Sequence, residues 1–416
     1  MNRSHAGAGL FELVARVLFL TLSCASAFAQ TGKDGASNQA EEKFKSTDPY
    51  TKGNPEILKQ AGYVSLAPFT FADGIQPIDM VEVLGGIDLL WAETAHFKIC
   101  SSLKTYKSKA DQLENDAIDK DIALLTKKIP ACRNSRGSTV DPWLRLHIYA
   151  LRLERLYGDF CEHTGFSDAD FAPGGSKKGM GSGPYLGQKQ KFTVLLAEKS
   201  STLGRFTRQY VKKEETHVQR SELSGGTVFL GISAESLREG GVELDSALHC
   251  AIAASQISNL LSGLRDNGWV VPLWLEIGMG HWFSRRIDER FTYYADGTSR
   301  NGSDDKYIWK PRVRALVENK FPYSWDDMLA TLEWSKFTPH AHILSWSRID
   351  WMMQQGPPAM RKFLEPLTAR LSVESDVERA KAQLERAKAG LQAGFGKTPE
   401  ECEVAWRAWV KKTYDR

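Results

Sequence analysis

Apolar side chains follow a strand-like pattern in the first half of this chain and a helix-like one in the second. Residues 76–108 read as strand material, because Asp88–Ile99 is rich in side chains that suit a pleated, half-buried surface. Helical stretches follow at 109–130 and 141–163. In the second of them Trp143, Leu144, Leu146, Leu151, Leu153 and Leu156 form a broad apolar stripe. Lys191–Leu196 and Gly226–Gly231 read as buried strands. From about residue 242 the period is helical: Leu244, Leu248, Ala251, Ile252, Ile257, Leu260 and Leu261 fall close to one face. A second helix starts after Pro272 and runs through Phe283; proline suits an early helical position, where its missing N–H has no partner anyway. Residues 341–370, 374–391 and 405–410 give further helices. Strands and helices first, then helices alone, is an α+β order, a mixed strand and helix part followed by a mainly helical part.

Composition narrows the class. Fifty-four basic against 51 acidic residues leave a net charge of +3, which gives no electrostatic footprint for nucleic acid. Residues 1–29 read as a signal peptide: Arg3 and Arg16 are followed by the apolar run Val17–Leu22 and by Ala27-Phe28-Ala29, a small-x-small cleavage pattern. That run is shorter than the roughly 20 apolar residues of a membrane span, and no later stretch reaches that length. The expectation is a protein exported to the periplasm or the medium, with no transmembrane segment in the mature chain. Cleavage would leave Cys100, Cys132, Cys161, Cys250 and Cys402. An odd number leaves one thiol unpaired, and Cys132 with Cys161 is a candidate pair. The glycine-rich stretch 173–187 has neither phosphate-binding spacing and reads as a surface loop. The expected organisation is a flexible leader at 30–75, an α+β subdomain at 76–240, a helical subdomain at 241–371 and packed C-terminal helices at 372–416.

Two segments carry chemistry. The first is Leu244–Ala253, which contains Asp245, His249 and Cys250; the second is Pro272–Phe283, with Trp274, Glu276, His281 and Trp282. Together they resemble the peptidase-MA-like gluzincins of bacterial secreted proteins, whose first helix carries HExxH and whose second opens with P-x-W-L-x-E-G. Thr94-Ala95-His96-Phe97 and Phe395–Glu400 with Trp406 and Trp409 extend the resemblance to residues 85–416. It implies a gluzincin-like scaffold and zinc as the family's cofactor. HExxH sets two imidazoles one turn apart on one metal, the Glu between them being the general base.

This sequence departs from that pattern at the decisive positions. With His249 as the first ligand, the base position is Cys250, the second ligand position Ala253, and the third falls on Ile277, one residue after Glu276. With His249 as the second ligand, the first is Asp245 and the base position Ser246. In either register no carboxylate sits at the base position, a loss worth about two to four orders of magnitude in rate. The expectation is a pseudoenzyme that holds an unknown peptide or protein ligand in a cleft lined by Trp274, Trp282 and Phe283, without a cofactor. The alternative is a zinc metallohydrolase drawing atypical ligands from Asp245, His249, Glu276 and His281; a purely structural protein would show a filled cleft. Plainer readings stand beside these: His249 as a hydrogen-bonded core histidine, Cys250 as a small buried hydrophobe, Asp245 as an acid at a helix N-terminus. His340 and His342 form an H-x-H pair that would share a face only if extended.

Overall fold

The computed structural model describes residues 47–109, 111–171, 181–239, 243–265, 271–292, 300–301, 308–368 and 375–415. The signal peptide expected at 1–29, the first part of the leader and residues 172–180 of the glycine-rich stretch lie outside them. In chain order the helices and strands begin with α1 (Pro55–Ala61), α2 (Pro77–Val83), β1 (Leu90–Glu93), β2 (Phe97–Ser101), β3 (Tyr106–Lys107), α3 (Gln112–Thr126) and β4 (Thr139–Val140). Next come α4 (Pro142–Thr164), β5 (Phe192–Ala197), α5 (Ser200–Phe206), β6 (Val218–Glu222), β7 (Val228–Ser233) and α6 (Ala234–Glu239). The second half adds α7 (Asp245–Gly263), α8 (Leu273–Arg285), β8 (Phe291–Thr292), β9 (Arg300–Asn301), α9 (Trp309–Glu318) and α10 (Trp325–Ala330). It closes with α11 (Pro339–Met353), α12 (Pro357–Thr368), α13 (Asp376–Phe395) and α14 (Pro399–Thr413). The architecture is α+β, with a small sheet and a mainly helical C-terminal part.

One mixed sheet runs β1-β2-β5-β7-β6. β2, β5 and β7 are parallel, while β1 and β6 add antiparallel at the two ends. Every residue of β5 and β7 is buried, as central parallel strands covered on both faces require. Phe97, Ile99, Val194, Leu196, Leu230 and Ile232 face the core shared with α4 and α7. Trp91, Cys100, Leu195 and Phe229 face a second cluster with Met80 of α2 and Leu203 and Phe206 of α5. β6 is the half-buried end strand, and its sequence Val-Gln-Arg-Ser-Glu has no alternating apolar signal.

Several expectations are corrected here. The leader expected over 30–75 stops short of residues 47–75, which pack on the fold. Asp48 reaches His147 at 3.2 Å, the Tyr63 hydroxyl lies 2.7 Å from His147 Nδ1, Ser65 bridges to Glu93 beside β1, and Phe71 is wholly buried. Pro77–Val83, inside the stretch read as strand, is a helix: Pro77 and Asp79 in its first turn are helix-start signals. All five described cysteines are thiols, so Cys132 and Cys161 are not joined. The last helix docks on α11, Trp406 Nε1 donating to Ser347 Oγ at 3.0 Å.

His96, in the turn before β2, ties that turn to α4 and the loop beyond. Its Nδ1 lies 2.6 Å from Glu154 and its Nε2 3.2 Å from Asp168, with the ring stacked on Tyr157 at 3.8 Å. Burial works against the cation, but hydrogen bonds to Asp168 and Glu154 outweigh it and raise the His96 pKa to about 9. A folded value above the unfolded one of about 6.5 stabilises the fold fully below that pH, and the contribution fades as pH rises through the folded value. The stability difference between wild type and His96→Gln, measured by urea denaturation, should therefore be largest at about pH 6 and shrink toward pH 9–10. A pH-independent difference would contradict the charged pairing.

Candidate functional site

The two segments singled out in the sequence become a packed helix pair, α7 and α8. Both are buried along most of their length, α8 mainly through apolar residues and α7 through apolar and small polar ones. Glycine permits their close approach. A Cβ at Gly280 would lie 3.2 Å from the Ala254 carbonyl oxygen, and one at Gly278 would lie 2.6 Å from Ile349 Cγ1 of α11.

A cavity of about 40 Å³ remains where the pair meets the end strand of the sheet. α7 contributes Ala254, Ser255 and Ser258; α8 contributes Glu276, Ile277, Gly280 and His281; Arg220 of β6, His342 of α11 and Trp334 complete the lining. The volume exceeds the roughly 10–15 Å³ that one water needs but falls well short of a ligand pocket. Trp334, in the short turn Trp334–Lys336, is 48% exposed at the rim, close in sequence to the exposed Leu332.

The sequence-derived site residues fall into separate surroundings. Glu276 lines this cavity, and its carboxylate is ion-paired with Arg220 across from β6. His281 lines it too, its Nε2 2.9 Å from His342 Nδ1; burial, with His342 and Arg285 nearby, keeps its imidazole neutral by pushing its pKa well down. His249 is not here: it faces a larger cleft among α3, α4 and α7, where burial and the neighbouring Arg152 push its pKa well below the usual value. Five residues separate His249 from Ala254, about 140° around a helix, which is why they look onto different cavities.

Asp245 is consumed by the fold. Its Oδ1 accepts from Arg145 and from the Tyr149 hydroxyl, each at 2.9 Å, and its Oδ2 accepts from Arg152 at 2.8 Å. Arg152 also donates to Asp121, which Arg155 holds from the other side. Burial alone would raise the Asp245 pKa; the Arg145 and Arg152 guanidinium groups outweigh it and hold the pKa at about 2. A carboxylate whose oxygens are saturated this way has nothing left for a metal.

The expected aromatic lining also divides. Trp274 is not in a cleft but fully buried against Trp325 and Phe363. Trp282 is 7% exposed and donates its Nε1 to Asp350 at 3.0 Å, while Phe283 does line the larger cleft beside His249. Cys250 is buried, its Sγ facing the Ser284 carbonyl at 3.4 Å, as the plainer reading has it. His340 and His342 stand on a helix rather than a strand: His340 packs on Phe321, and His342 turns inward to His281. Sequence reasoning missed Arg220, Ser255, Ser258 and Trp334, since nothing local marks a polar end strand or a serine on an otherwise apolar helix. Among the described residues no three His, Cys, Asp or Glu side chains converge on one point.

Comparison with protein families, with characterised proteins and with solved structures returned no match.

The central carboxylate gives a direct test. Asp245→Ala removes the carboxylate that two buried guanidinium groups share and should cost about 3 kcal/mol in unfolding free energy, read from chemical denaturation. Because the folded pKa lies below the unfolded one, this contribution is complete above about pH 4 and is lost as pH falls toward the folded value. A variant as stable as wild type would show that Asp245 is not the anchor described.

Proposed function

We propose that this chain is an exported protein on a gluzincin-like scaffold that no longer hydrolyses peptides and serves in the periplasm or outside the cell in a binding or scaffolding role. The observation that carries the reading is the make-up of the α7 face that looks onto α8. If the metal-binding face of the first helix is the one turned toward the second, two ligand positions one turn apart fall on Ala254 and Ser258, and the position after the first falls on Ser255. An alanine offers no donor atom, and a neutral serine hydroxyl is far too weak a base to act as a general base near neutral pH. The expected third-ligand position carries Ile277, and the adjacent Glu276 is neutralised by Arg220.

Zinc, which the resemblance implies, does not fit these residues. Zinc takes thiolate, imidazole or carboxylate donors in a tetrahedral set, and this cavity offers one paired carboxylate, a histidine bonded to a second histidine, and two hydroxyls. The alternative zinc hydrolase would have to draw on Asp245, His249, Glu276 and His281. The first is locked by two arginines and the second faces another cleft. A peptide or protein ligand remains the class that the resemblance implies, and β6, the end strand of the sheet among the described residues, is where an extended segment would add.

The test is elemental analysis and peptidase assay of the mature protein purified without added metal. The expected result is well under one transition-metal ion per chain and no cleavage of casein above background. One zinc per chain, whose removal abolishes a peptidase activity, would overturn the proposal.

A further inference from the structure

The peptidase-like reading makes no use of a second cleft, about 520 Å³, lined by α3, α4, α7, the end of α8 and the residues just beyond it. That size falls within the roughly 300–1,000 Å³ of small-molecule sites. Leu156 of α4 and Phe283 of α8, 8% and 4% exposed, give it an apolar floor. Ser246 and His249 line it from α7.

Its charges separate into those the fold uses and those it does not. Arg152 is shared between Asp121 and Asp245, Asp288 holds Arg290, and Asp116 at the rim accepts from the Gln112 amide at 2.7 Å. Three cations at the rim have charge to spare. Arg155 shares Asp121 with the already paired Arg152. Arg286 lies over the Trp282 ring at 4.4 Å and against His163, with no carboxylate partner among the described residues. Lys120 makes no ion pair among the described residues, and neither does Asp159, half-buried on the wall. Unneutralised charge of both signs around an apolar floor does nothing for stability that simple pairing would not do better. It matches a ligand that carries both charges itself.

We propose that this cleft binds a small zwitterion with an apolar side chain, a free amino acid or a short peptide. The ligand's carboxylate lies toward Arg286, Arg155 and Lys120, its ammonium toward Asp159, and its side chain on Leu156 and Phe283. The neutral His249 imidazole supplies a hydrogen-bonding group at the floor. This site stands on the cleft alone and does not depend on the peptidase-like scaffold.

Isothermal titration of the full chain tests it, with phenylalanine and phenylalanyl-alanine as probes. Phenylalaninol, which lacks the carboxylate, and N-acetylphenylalanine, which lacks the ammonium, are the controls. One or both probes should bind with 1:1 stoichiometry, and whichever binds tighter identifies the free amino acid or the peptide as the source. Each control should bind about tenfold or more weakly. Arg286→Gln should weaken the preferred probe by about tenfold, and Asp159→Asn should erase its advantage over N-acetylphenylalanine. The proposal fails if neither probe gives saturable heat up to about 10 mM, if the controls bind equally well, or if the variants bind like wild type. Should Asp159→Asn lose its far-ultraviolet circular dichroism signal, the exposed Arg286→Gln decides alone.

Discussion

The carboxylate of Asp245 is the point on which the rest of the structure turns. It stands at the start of α7, is 5% exposed, and is held by Arg145, Arg152 and Tyr149, all from α4. Through Arg152 the same network reaches Asp121 of α3, and through Arg145 it reaches the Lys104 carbonyl beyond β2. Glu114 of α3 accepts from the Ser246 backbone N–H at 2.9 Å, satisfying one of the free donors of the first turn of α7. Charges taken out of water are tolerated only when paired and hydrogen-bonded in this way, so the network fixes the rotation of α7 about its axis. That rotation decides which α7 residues look at the sheet, at α8 and at the larger cleft.

With the rotation fixed, α7 presents different chemistry to different neighbours. The side toward α8 and β6 is small and neutral, with Ala254, Ser255 and Ser258 around a cavity that holds little more than water. The side toward α3 and α4 is polar, with His249 and Ser246 in a cleft large enough for a ligand. On the side toward α8 the residues of α7 that line the cavity are an alanine and two serines, and its histidine lines the other cleft. The pairing of Glu276 with Arg220 belongs to the same pattern: a charge on α8 is answered by an arginine of the sheet.

Much of this was legible in the sequence wherever a single physical signal was strong. The buried runs at 192–197 and 228–233 and the stripe of α4 announced the sheet and the helix on it; Pro272 announced the start of α8. Signals that depend on distant partners were not legible. β6 is polar because it is an end strand, so it carries no run to recognise, yet it supplies Arg220. His249 drew attention as the histidine of the first motif segment, but the facing residues of α7 follow from a rotation set by Arg145 and Arg152 about a hundred residues earlier in the chain. Trp274 and Trp282 looked like cleft material because aromatic residues suit both pockets and cores; only packing against Trp325 and Phe363 and the bond to Asp350 assign them to the interior.

The proposal that the α7–α8 cavity does not bind zinc is tested most directly by anomalous diffraction at the zinc edge from crystals of the protein soaked in zinc. The account predicts no ordered peak between Ser258, Glu276 and His281, with the Arg220–Glu276 pair intact. A full-occupancy zinc within coordination distance of those side chains, with Arg220 displaced, would contradict it.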